Sequence, residues 1–136
     1  MDCLFCKIAK GDIPTHKIYE NDDSIAFLDI NPSADGHTMV ISKNHHENIQ
    51  DIPEDLLGKL SKTVKRVVDI LEKGLKTTHF TIGLNNGKLS GQEIDHLHIH
   101  IIPRNEGDGG GSIQSVVQNR TENPEKIKEK ILKANG

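Results

Sequence analysis

One heptapeptide constrains the fold more than any other part of this 136-residue chain. From His96 to Ile102, imidazole and aliphatic side chains alternate along the sequence with a period of two. An extended strand places residues at that period on opposite faces, so the three histidines should share one face and Leu97, Ile99 and Ile101 the other. The pattern therefore predicts a strand that packs into a core on one side and presents reactive groups on the other.

The rest of the chain predicts an antiparallel sheet with helices. Four further segments have strand-like composition: Lys17 to Glu20, Ser24 to Asp29, His37 to Ser42 and His79 to Leu84. A helix of about 20 residues is expected between Asp51 and Gly74. Its aliphatic stripe comprises Leu56, Leu57, Leu60, Val64, Val67, Val68 and Leu71. Because most connections have hairpin length, these elements favour an α+β fold with about five antiparallel strands and the long helix over one face.

Short helices are expected at both ends of the chain. The first should begin at Asp2 as N-cap and end at Gly11, and it carries both cysteines. The last should begin at Asn123-Pro124 and turn Ile127 and Ile131 toward the interior. The Gly-rich stretch 107–112 before it is expected to be a mobile loop.

Charge and hydropathy exclude several classes of function. Seventeen basic and 20 acidic residues are spread along the chain, so no basic stripe points to nucleic acid. No apolar run approaches the ~20 residues needed to cross a bilayer, and no signal-peptide core is present, so we expect a cytoplasmic protein without a membrane partner. In a reducing cytosol, Cys3-x-x-Cys6 favours metal binding or redox work over a structural disulfide.

The three alternating histidines point to a reactive site. Neighbours on one face of a strand lie ~7 Å apart, close enough to address one phosphate or one metal ion. Spacing alone leaves metal binding and phosphate or acyl chemistry open. The preceding loop favours an anion, because Asn85, Gly91 and Gln92 supply amides and a backbone that a ligand can approach closely. We therefore expect these three residues to contact phosphate.

The stretch from Gly91 to Arg104 resembles the His-x-His-x-His motif, with apolar x, of the histidine triad (HIT) family. Other segments resemble its Hint-like branch in the same order: 3–8, 13–14, 26–32, 36–38 and 40–45. The resemblance spans residues 2–104. With the Gly-rich loop and C-terminal helix of 105–136, it implies a single HIT domain over residues 1–136.

The resemblance also implies an activity. Members are nucleotide hydrolases or transferases that act at the α-phosphate of a nucleoside monophosphate derivative, here expected to be phosphoramidase-like and to need no cofactor for the chemistry. His98 would be the nucleophile, forming a nucleotidyl-histidine that water hydrolyses, while its second ring nitrogen donates to the carbonyl of His96. His100 would donate to a phosphate oxygen alongside Gln92, and His45 would support the triad.

The same resemblance implies a pocket for a purine nucleotide, an AMP or GMP derivative. Its base would contact Phe5, Ile8, Phe27 and Ile30, and Asp29 would accept from the ribose hydroxyls. One position departs from the family, because Glu93 stands where well-studied relatives carry a serine that contacts the leaving group. The leaving group is therefore left open, and His16, His37, His46 and His79 receive no predicted role.

Bacterial Hint-like relatives imply two further properties. Cys3, Cys6, His45 and His96 would hold one structural zinc ion per chain. Two copies of the chain would form a homodimer. Two alternatives to the phosphoramidase-like activity remain. One is a dinucleoside polyphosphate hydrolase like the Fhit branch, and the other is a non-catalytic adaptor that binds nucleotide or zinc.

Overall fold

The structure is a computed structural model that describes residues 2–120 and 122–136. Five antiparallel strands form one sheet in the order β1-β2-β3-β5-β4. The strands are β1 (Lys17–Glu20), β2 (Ser24–Leu28), β3 (Thr38–Ser42), β4 (Phe80–Gly83) and β5 (His98–Pro103). The helices are α1 (Leu4–Lys10), α2 (Glu54–Leu75) and α3 (Pro124–Ala134), with short 3₁₀ turns at Lys88–Ser90 and Ile113–Ser115. The predicted α+β fold, with five antiparallel strands and one long helix, is confirmed.

Strand β5 lies inside the sheet, between β3 and β4. Its alternation divides the side chains as predicted, because Leu97, Ile99 and Ile101 join the core cluster beneath α2. On the opposite face, the strand register places His100 between Met39 of β3 and Gly83 of β4. The histidines therefore lie on a central strand that is held on both sides by backbone hydrogen bonds.

Helix α2 covers the aliphatic face of the sheet. Its 22 residues span about 33 Å, and Leu60 and Val67 are completely buried in the core. The predicted stop at Gly74 is wrong, because that residue is still helical. The chain leaves the helix at Lys76, which adopts a left-handed φ of 57° and donates its backbone N–H to the Glu72 carbonyl at 2.9 Å.

Helix α1 begins differently from the prediction. Cys3, rather than Asp2, is its N-cap, and its Sγ accepts from the Cys6 backbone N–H at 3.4 Å. Asp2 instead forms an exposed ion pair with Lys7 at 2.8 Å. Gly11 ends the helix as predicted, with a left-handed φ of 84°.

Helix α3 has the predicted start but not the predicted packing. The Asn123 side chain accepts from the Lys126 N–H at 3.0 Å, which is the expected N-cap. The expected inner face is wrong, because Ile127 and Ile131 are 36% and 55% exposed and no residue of α3 is buried. Its apolar stripe therefore adds nothing to the core. Across residues 2–120 and 122–136, no helix is both long and apolar enough to cross a bilayer.

Candidate functional site

The face of the sheet that carries the histidines has its own apolar cluster, built with α1. The Phe5 ring lies 5.0 Å from the His98 ring and 5.7 Å from the Phe27 ring, in edge-to-face contacts. Phe5, Ile8 and Phe27 are 2%, 7% and 2% exposed and belong to this cluster. Three of the residues predicted for a base pocket thus form the packed support on which the histidine face rests.

The ring of His98 has a defined orientation and tautomer. Its Nδ1 lies 2.7 Å from the carbonyl oxygen of His96. A carbonyl oxygen only accepts, so Nδ1 carries the proton and the Nε2 of the neutral ring keeps its lone pair. In this tautomer, a neutral imidazole presents its Nε2 lone pair as a nucleophile.

His100 is held by His37, a histidine that has no predicted role. The His37 Nε2 lies 2.9 Å from the His100 Nδ1 and 3.7 Å from an Asp29 carboxylate oxygen. His37 is 5% exposed and immediately precedes β3, whose Met39 is paired with His100. His37 and Met39 are two residues apart, so an extended segment places them on the same face. This spacing points to His100 only once the pairing of β3 with β5 is known.

Burial keeps both of these imidazoles neutral. It lowers the pKa of His100 to about 4, and the neighbouring charges of His98 and His37 act in the same direction. Burial also lowers the pKa of His37, although the Asp29 carboxylate opposes the shift. Near pH 7 each ring therefore carries one proton, and the position of that proton decides what the ring can donate.

The structure brings the two cysteines together with His45 and His96. One ligand atom from each of these four residues lies within 4.8 Å of all the others, so the cluster could hold a metal ion. Cys3 and His96 are buried, and burial raises the pKa of the Cys6 thiol, with a further rise from the adjacent Cys3 thiol. Cys3 and Cys6 belong to the N-terminal segment, His45 follows β3 and His96 precedes β5. The cluster therefore brings together three separate parts of the chain.

The distances in this cluster suit a tetrahedral metal ion. The His96 Nδ1 lies 3.4 Å from the Cys3 sulfur and 3.6 Å from the Cys6 sulfur, and the His45 Nδ1 lies 3.3 Å from Cys6. Sulfur and nitrogen ligands on one tetrahedral zinc are about 3.6 Å apart. The His96 Nε2 donates to the Ser42 carbonyl at 2.7 Å, which leaves the lone pair of Nδ1 facing the sulfurs.

The side-chain amide of Gln92 is bonded to three backbone groups. Its side-chain N–H groups donate to the carbonyls of Glu47 and Ile94 at 2.7 and 3.0 Å, and its side-chain oxygen accepts from the Gly87 N–H at 2.8 Å. Both side-chain N–H groups therefore already have backbone acceptors, and contact of this amide with phosphate stays a prediction. Gln92 is 7% exposed and fixes the loop that leads to β5.

A cavity of about 640 Å³ opens beside His100. Asn85, one of the predicted phosphate contacts, lines it together with the apolar Ile102, Val116 and Val117. Gly91 lies beside Asn85, since a methyl group at Gly91 would sit 3.6 Å from the Asn85 side-chain nitrogen, and Gly91 has a φ of 102° that favours glycine. Asn85 and Gly91 are both exposed, so a ligand could reach them.

The Gly-rich loop that borders this cavity is organised by one arginine. The Arg104 guanidinium donates to Asp108 at 2.7 and 3.1 Å, to the Thr81 hydroxyl at 2.9 Å and to the Gly111 carbonyl at 2.6 Å. These contacts connect the loop to the edge of the sheet. The Gly-rich loop itself was predicted from the sequence, whereas its attachment to the sheet through Arg104 was not.

The remaining predicted site residues lie near the surface. Ile30 is 78% exposed, and Asp29 accepts from the Asn31 N–H at 2.9 Å while its other oxygen faces His37. Glu93 is exposed and follows the buried Gln92. The two sides of the site are therefore the partly exposed Asp29 and Ile30, and the loop that carries Asn85, Gly91 and Glu93.

Comparison with known proteins identifies relatives of this arrangement. The family described as the HIT domain matches residues 10–107. An uncharacterized HIT-like protein of Methanocaldococcus jannaschii is 49% identical over 107 residues, which are 79% of this chain and 82% of that protein. The adenosine 5'-monophosphoramidase HNT1 of Saccharomyces cerevisiae is 42% identical over 108 residues, which are 79% of this chain and 66% of that protein.

Solved structures agree with the fold. A HIT family protein from Bacillus subtilis superposes with a TM-score of 0.84 at 36% identity, covering 98% of this chain and 96% of that one. A Zn-bound histidine triad family protein from Mycobacterium smegmatis has a TM-score of 0.76 at 32% identity, covering 93% of this chain and 87% of that one. The arrangement of strands and helices is thus shared over nearly the whole chain.

Proposed function

The chain belongs to the HIT family, and we propose on that premise that it is a nucleotide hydrolase acting at the α-phosphate of a purine nucleoside monophosphate derivative. The observation that carries this proposal is the His98 ring, whose Nδ1–H is held by the His96 carbonyl at 2.7 Å so that Nε2 is free to attack. Similarity to a relative named adenosine 5'-monophosphoramidase supports phosphoramidase-like chemistry.

In the first step, the His98 Nε2 forms a bond to the α-phosphorus. The bond from phosphorus to the leaving nitrogen or oxygen breaks, and the leaving group departs with the electron pair and takes up a proton from the solvent. The nucleotidyl-histidine that results carries a positive charge on its ring, because Nδ1 keeps its proton. The His96 carbonyl stabilises this charge through the hydrogen bond that it already accepts.

In the second step, a water oxygen attacks phosphorus and the phosphorus–Nε2 bond breaks. The electron pair returns to Nε2, and one water proton is released as the nucleoside monophosphate forms. His98 is then neutral again and ready for another cycle. In both steps, His100 would donate from its ring to a non-bridging phosphate oxygen, which disperses the charge that develops there.

The nucleotide would lie between the two sides of the site. We propose that the ribose hydroxyls donate to Asp29 and that the base covers the exposed Ile30, with Phe5, Ile8 and Phe27 as the packed layer beneath. Asn85 and Gly91 would contact the phosphate from the opposite loop. Because the Gln92 amide is fully engaged by backbone groups, its contribution would be to hold this loop in place.

We propose zinc for the cluster of Cys3, Cys6, His45 and His96. Two thiolates and two imidazoles are a common tetrahedral set for structural zinc, and the sulfur–nitrogen distances of 3.3 to 3.6 Å suit it. When bound, zinc supplies a link between α1 and the entry to β5. No step of the chemistry requires it, since His98 and His100 lie outside the ligand set.

Trapping the covalent intermediate tests this function. Adenosine 5'-phosphoramidate labelled at phosphorus should leave label on the folded protein in a single turnover quenched in alkali, which preserves phosphoramidate bonds. Peptide mapping should place the label on His98, and His98→Ala should take up none. A wild-type protein that binds AMP but neither cleaves adenosine 5'-phosphoramidate nor acquires label would instead be the non-catalytic adaptor.

The same assay separates the two enzyme classes. Amine-linked, acyl-linked and sulfate-linked adenylates should be cleaved faster than diadenosine polyphosphates. A reversed order would favour the dinucleoside polyphosphate hydrolase. Glu93 is exposed and stands where well-studied relatives carry a serine that contacts the leaving group. The order in which leaving groups are preferred is therefore the measurement that identifies the substrate class.

We also propose that the chain forms a homodimer. Strand β4 is an outer strand of the sheet and carries Ile82, which is 41% exposed. An uncovered strand edge is commonly paired or shielded in folded proteins. Sedimentation velocity at micromolar concentration should report twice the chain mass, and a monomer at every concentration would refute the dimer.

A further inference from the structure

The loop that carries Asn85 and Gly91 is bonded to a distant segment of the chain. This loop, residues 85–92, follows β4, whereas residues 46–50 lie between β3 and α2. Three hydrogen bonds join the two stretches, and their partners are 36 to 45 residues apart in sequence. The position of the loop over the site therefore depends on contacts that its own sequence does not contain.

Asn86 makes two of these three hydrogen bonds. Its side-chain oxygen accepts from the Ile49 backbone N–H at 2.8 Å, and its side-chain nitrogen donates to the Gln50 side-chain oxygen at 2.9 Å. A backbone N–H only donates, so the bond to Ile49 fixes which end of the Asn86 amide faces the segment. Both ends of this amide are thus bonded to residues 46–50.

Gln92 makes the third hydrogen bond, at the other end of the loop. Its side chain donates to the Glu47 carbonyl at 2.7 Å and accepts from the Gly87 N–H at 2.8 Å. The Gln92 backbone N–H lies 3.2 Å from the Gly87 carbonyl, so the loop is also closed at its base. Gln92 therefore holds one end of the loop, and Asn86 holds the end next to Asn85.

The 46–50 segment is itself fixed in the fold. At its start, the His46 carbonyl accepts from the Leu97 N–H at 2.7 Å, just before β5. Just beyond its end, Ile52 is 7% exposed and belongs to the core cluster that contains residues of α2. The segment thus offers the loop a fixed point of attachment.

The loop needs this attachment because its own residues do little to hold it. Among residues 85–92, Leu89 is the only aliphatic side chain, and it is completely exposed. Gly87 and Gly91 have φ values of 92° and 102°, and glycine gives a backbone more freedom to lose than any other residue. Without the bonds from Asn86, ordering Asn85 and Gly91 would cost chain entropy when a ligand binds.

We propose that Asn86 is a positioning residue, which holds Asn85 and Gly91 in place for the substrate phosphate before the nucleotide binds. The proposal rests on the proposed nucleotide site and assigns Asn86 no contact with substrate. His98 and His100 lie on β5, which is held by its pairing with β3 and β4, so loss of the Asn86 bonds should leave both rings in place. The effect should therefore fall on KM and on the Kd of AMP, with little change in kcat.

Hydrogen exchange in the free protein tests the contact itself. In Asn86→Ala, the Ile49 amide proton loses its acceptor and should exchange about 10-fold faster or more than in the wild type. An unchanged exchange rate at Ile49 would overturn the proposal. Because no substrate is present, this result does not depend on the hydrolase activity.

Two substitutions at position 86 supply the functional test. Asn86→Ala removes both bonds and should raise the Kd of AMP and the KM for adenosine 5'-phosphoramidate about 5-fold to 20-fold, with kcat within about 3-fold of the wild type. Asn86→Asp keeps an oxygen that accepts from the Ile49 N–H. Measured at about 0.3 M salt, which screens the new charge, it should recover most of the wild-type affinity.

Asn48 provides a matched control on the same segment. Its side-chain oxygen accepts from the Asp51 N–H at 3.0 Å, so its bond stays within the segment. Asn48→Ala should leave Kd, KM and kcat unchanged. Equal losses in Asn86→Ala and Asn48→Ala, or in Asn86→Ala and Asn86→Asp, would overturn the proposal, as would a folded Asn86→Ala with wild-type affinity for AMP.

Two further outcomes remain decisive. If Asn86→Ala does not fold, Gln50→Ala removes one of the two bonds and should still raise the Kd of AMP about 2-fold to 5-fold, so an unchanged Kd would overturn the proposal. A wild-type protein that binds AMP without cleaving any adenylate would refute the hydrolase alone. In that case, the AMP affinities of the variants still decide the role of Asn86.

Discussion

The Nδ1 of His98 and the carbonyl oxygen of His96 are 2.7 Å apart, so the backbone two residues earlier on the chain orients the ring of the proposed nucleophile. We expect His98→Ala to lower kcat by about three orders of magnitude or more, because it removes the Nε2 that would form the bond to phosphorus. Binding of AMP, measured by calorimetry, should change only a few-fold. Substantial turnover by a folded His98→Ala protein would contradict the assignment of the nucleophile.

Two adjacent histidines provide a matched test of the metal cluster. His45 contacts the Cys6 sulfur at 3.3 Å, whereas His46 lies outside the cluster, 3.7 Å from Asp51. The wild-type protein should contain about one zinc per chain by metal analysis. His45→Gln should lose zinc and melt about 5 °C or more below the wild type, whereas His46→Gln should retain zinc and its melting temperature.

Chelation provides an independent check of the same site. Removing zinc from the wild-type protein should lower its melting temperature toward that of His45→Gln, and adding zinc back should restore it. A preparation with far less than one zinc per chain and an unchanged melting temperature after chelation would refute structural zinc here.

Helices α2 and α3 should respond very differently to truncation of an apolar side chain. Leu60 of α2 is completely buried, so Leu60→Ala should lower the free energy of unfolding by about 2–5 kcal/mol. Ile131 of α3 is 55% exposed, so Ile131→Ala should change it by about 0.5 kcal/mol or less. Urea unfolding measures both. A large loss in Ile131→Ala would mean that α3 packs against another surface.

The carboxylate of Glu20 should make the free energy of unfolding depend on pH. Glu20 contacts Lys17 at 2.6 Å and Lys43 at 2.7 Å, and these two hydrogen bonds lower its pKa from 4.5 to about 2. A carboxyl with a lower pKa in the folded state stabilises the fold above its unfolded pKa, and this stabilisation is lost as the pH falls from 4.5 toward 2.

The size of this effect is small because both ion pairs are partly exposed. Glu20→Gln should lower the free energy of unfolding by less than about 1 kcal/mol at pH 7. The difference from the wild type should shrink when urea unfolding is repeated between pH 4.5 and pH 3. A difference that grows with acidification would show that Glu20 does not stabilise the fold as a carboxylate.

Much of the fold follows from local periodicity. A period of two in residues 96–102 and an aliphatic stripe in α2 are properties of short stretches, so the strand, its two faces and the long helix were predictable. Helix ends were less predictable. Cys3 rather than Asp2 caps α1, and Lys76 rather than Gly74 ends α2, because several nearby residues could satisfy the same backbone groups.

The candidate site was also only partly predictable from the sequence. The sequence alone determined which face of β5 carries imidazoles and, through the family resemblance, which cysteines and histidines would be grouped. Only the tertiary structure decided that His37 contacts His100, because that contact depends on the β3–β5 register across 63 residues of chain. The same holds for the Gln92 amide, whose partners at Glu47 and Gly87 come from separate segments. Periodicity shows on which face of a strand or helix each residue lies. Strand pairing and loop closure decide which groups that are distant in sequence come into contact.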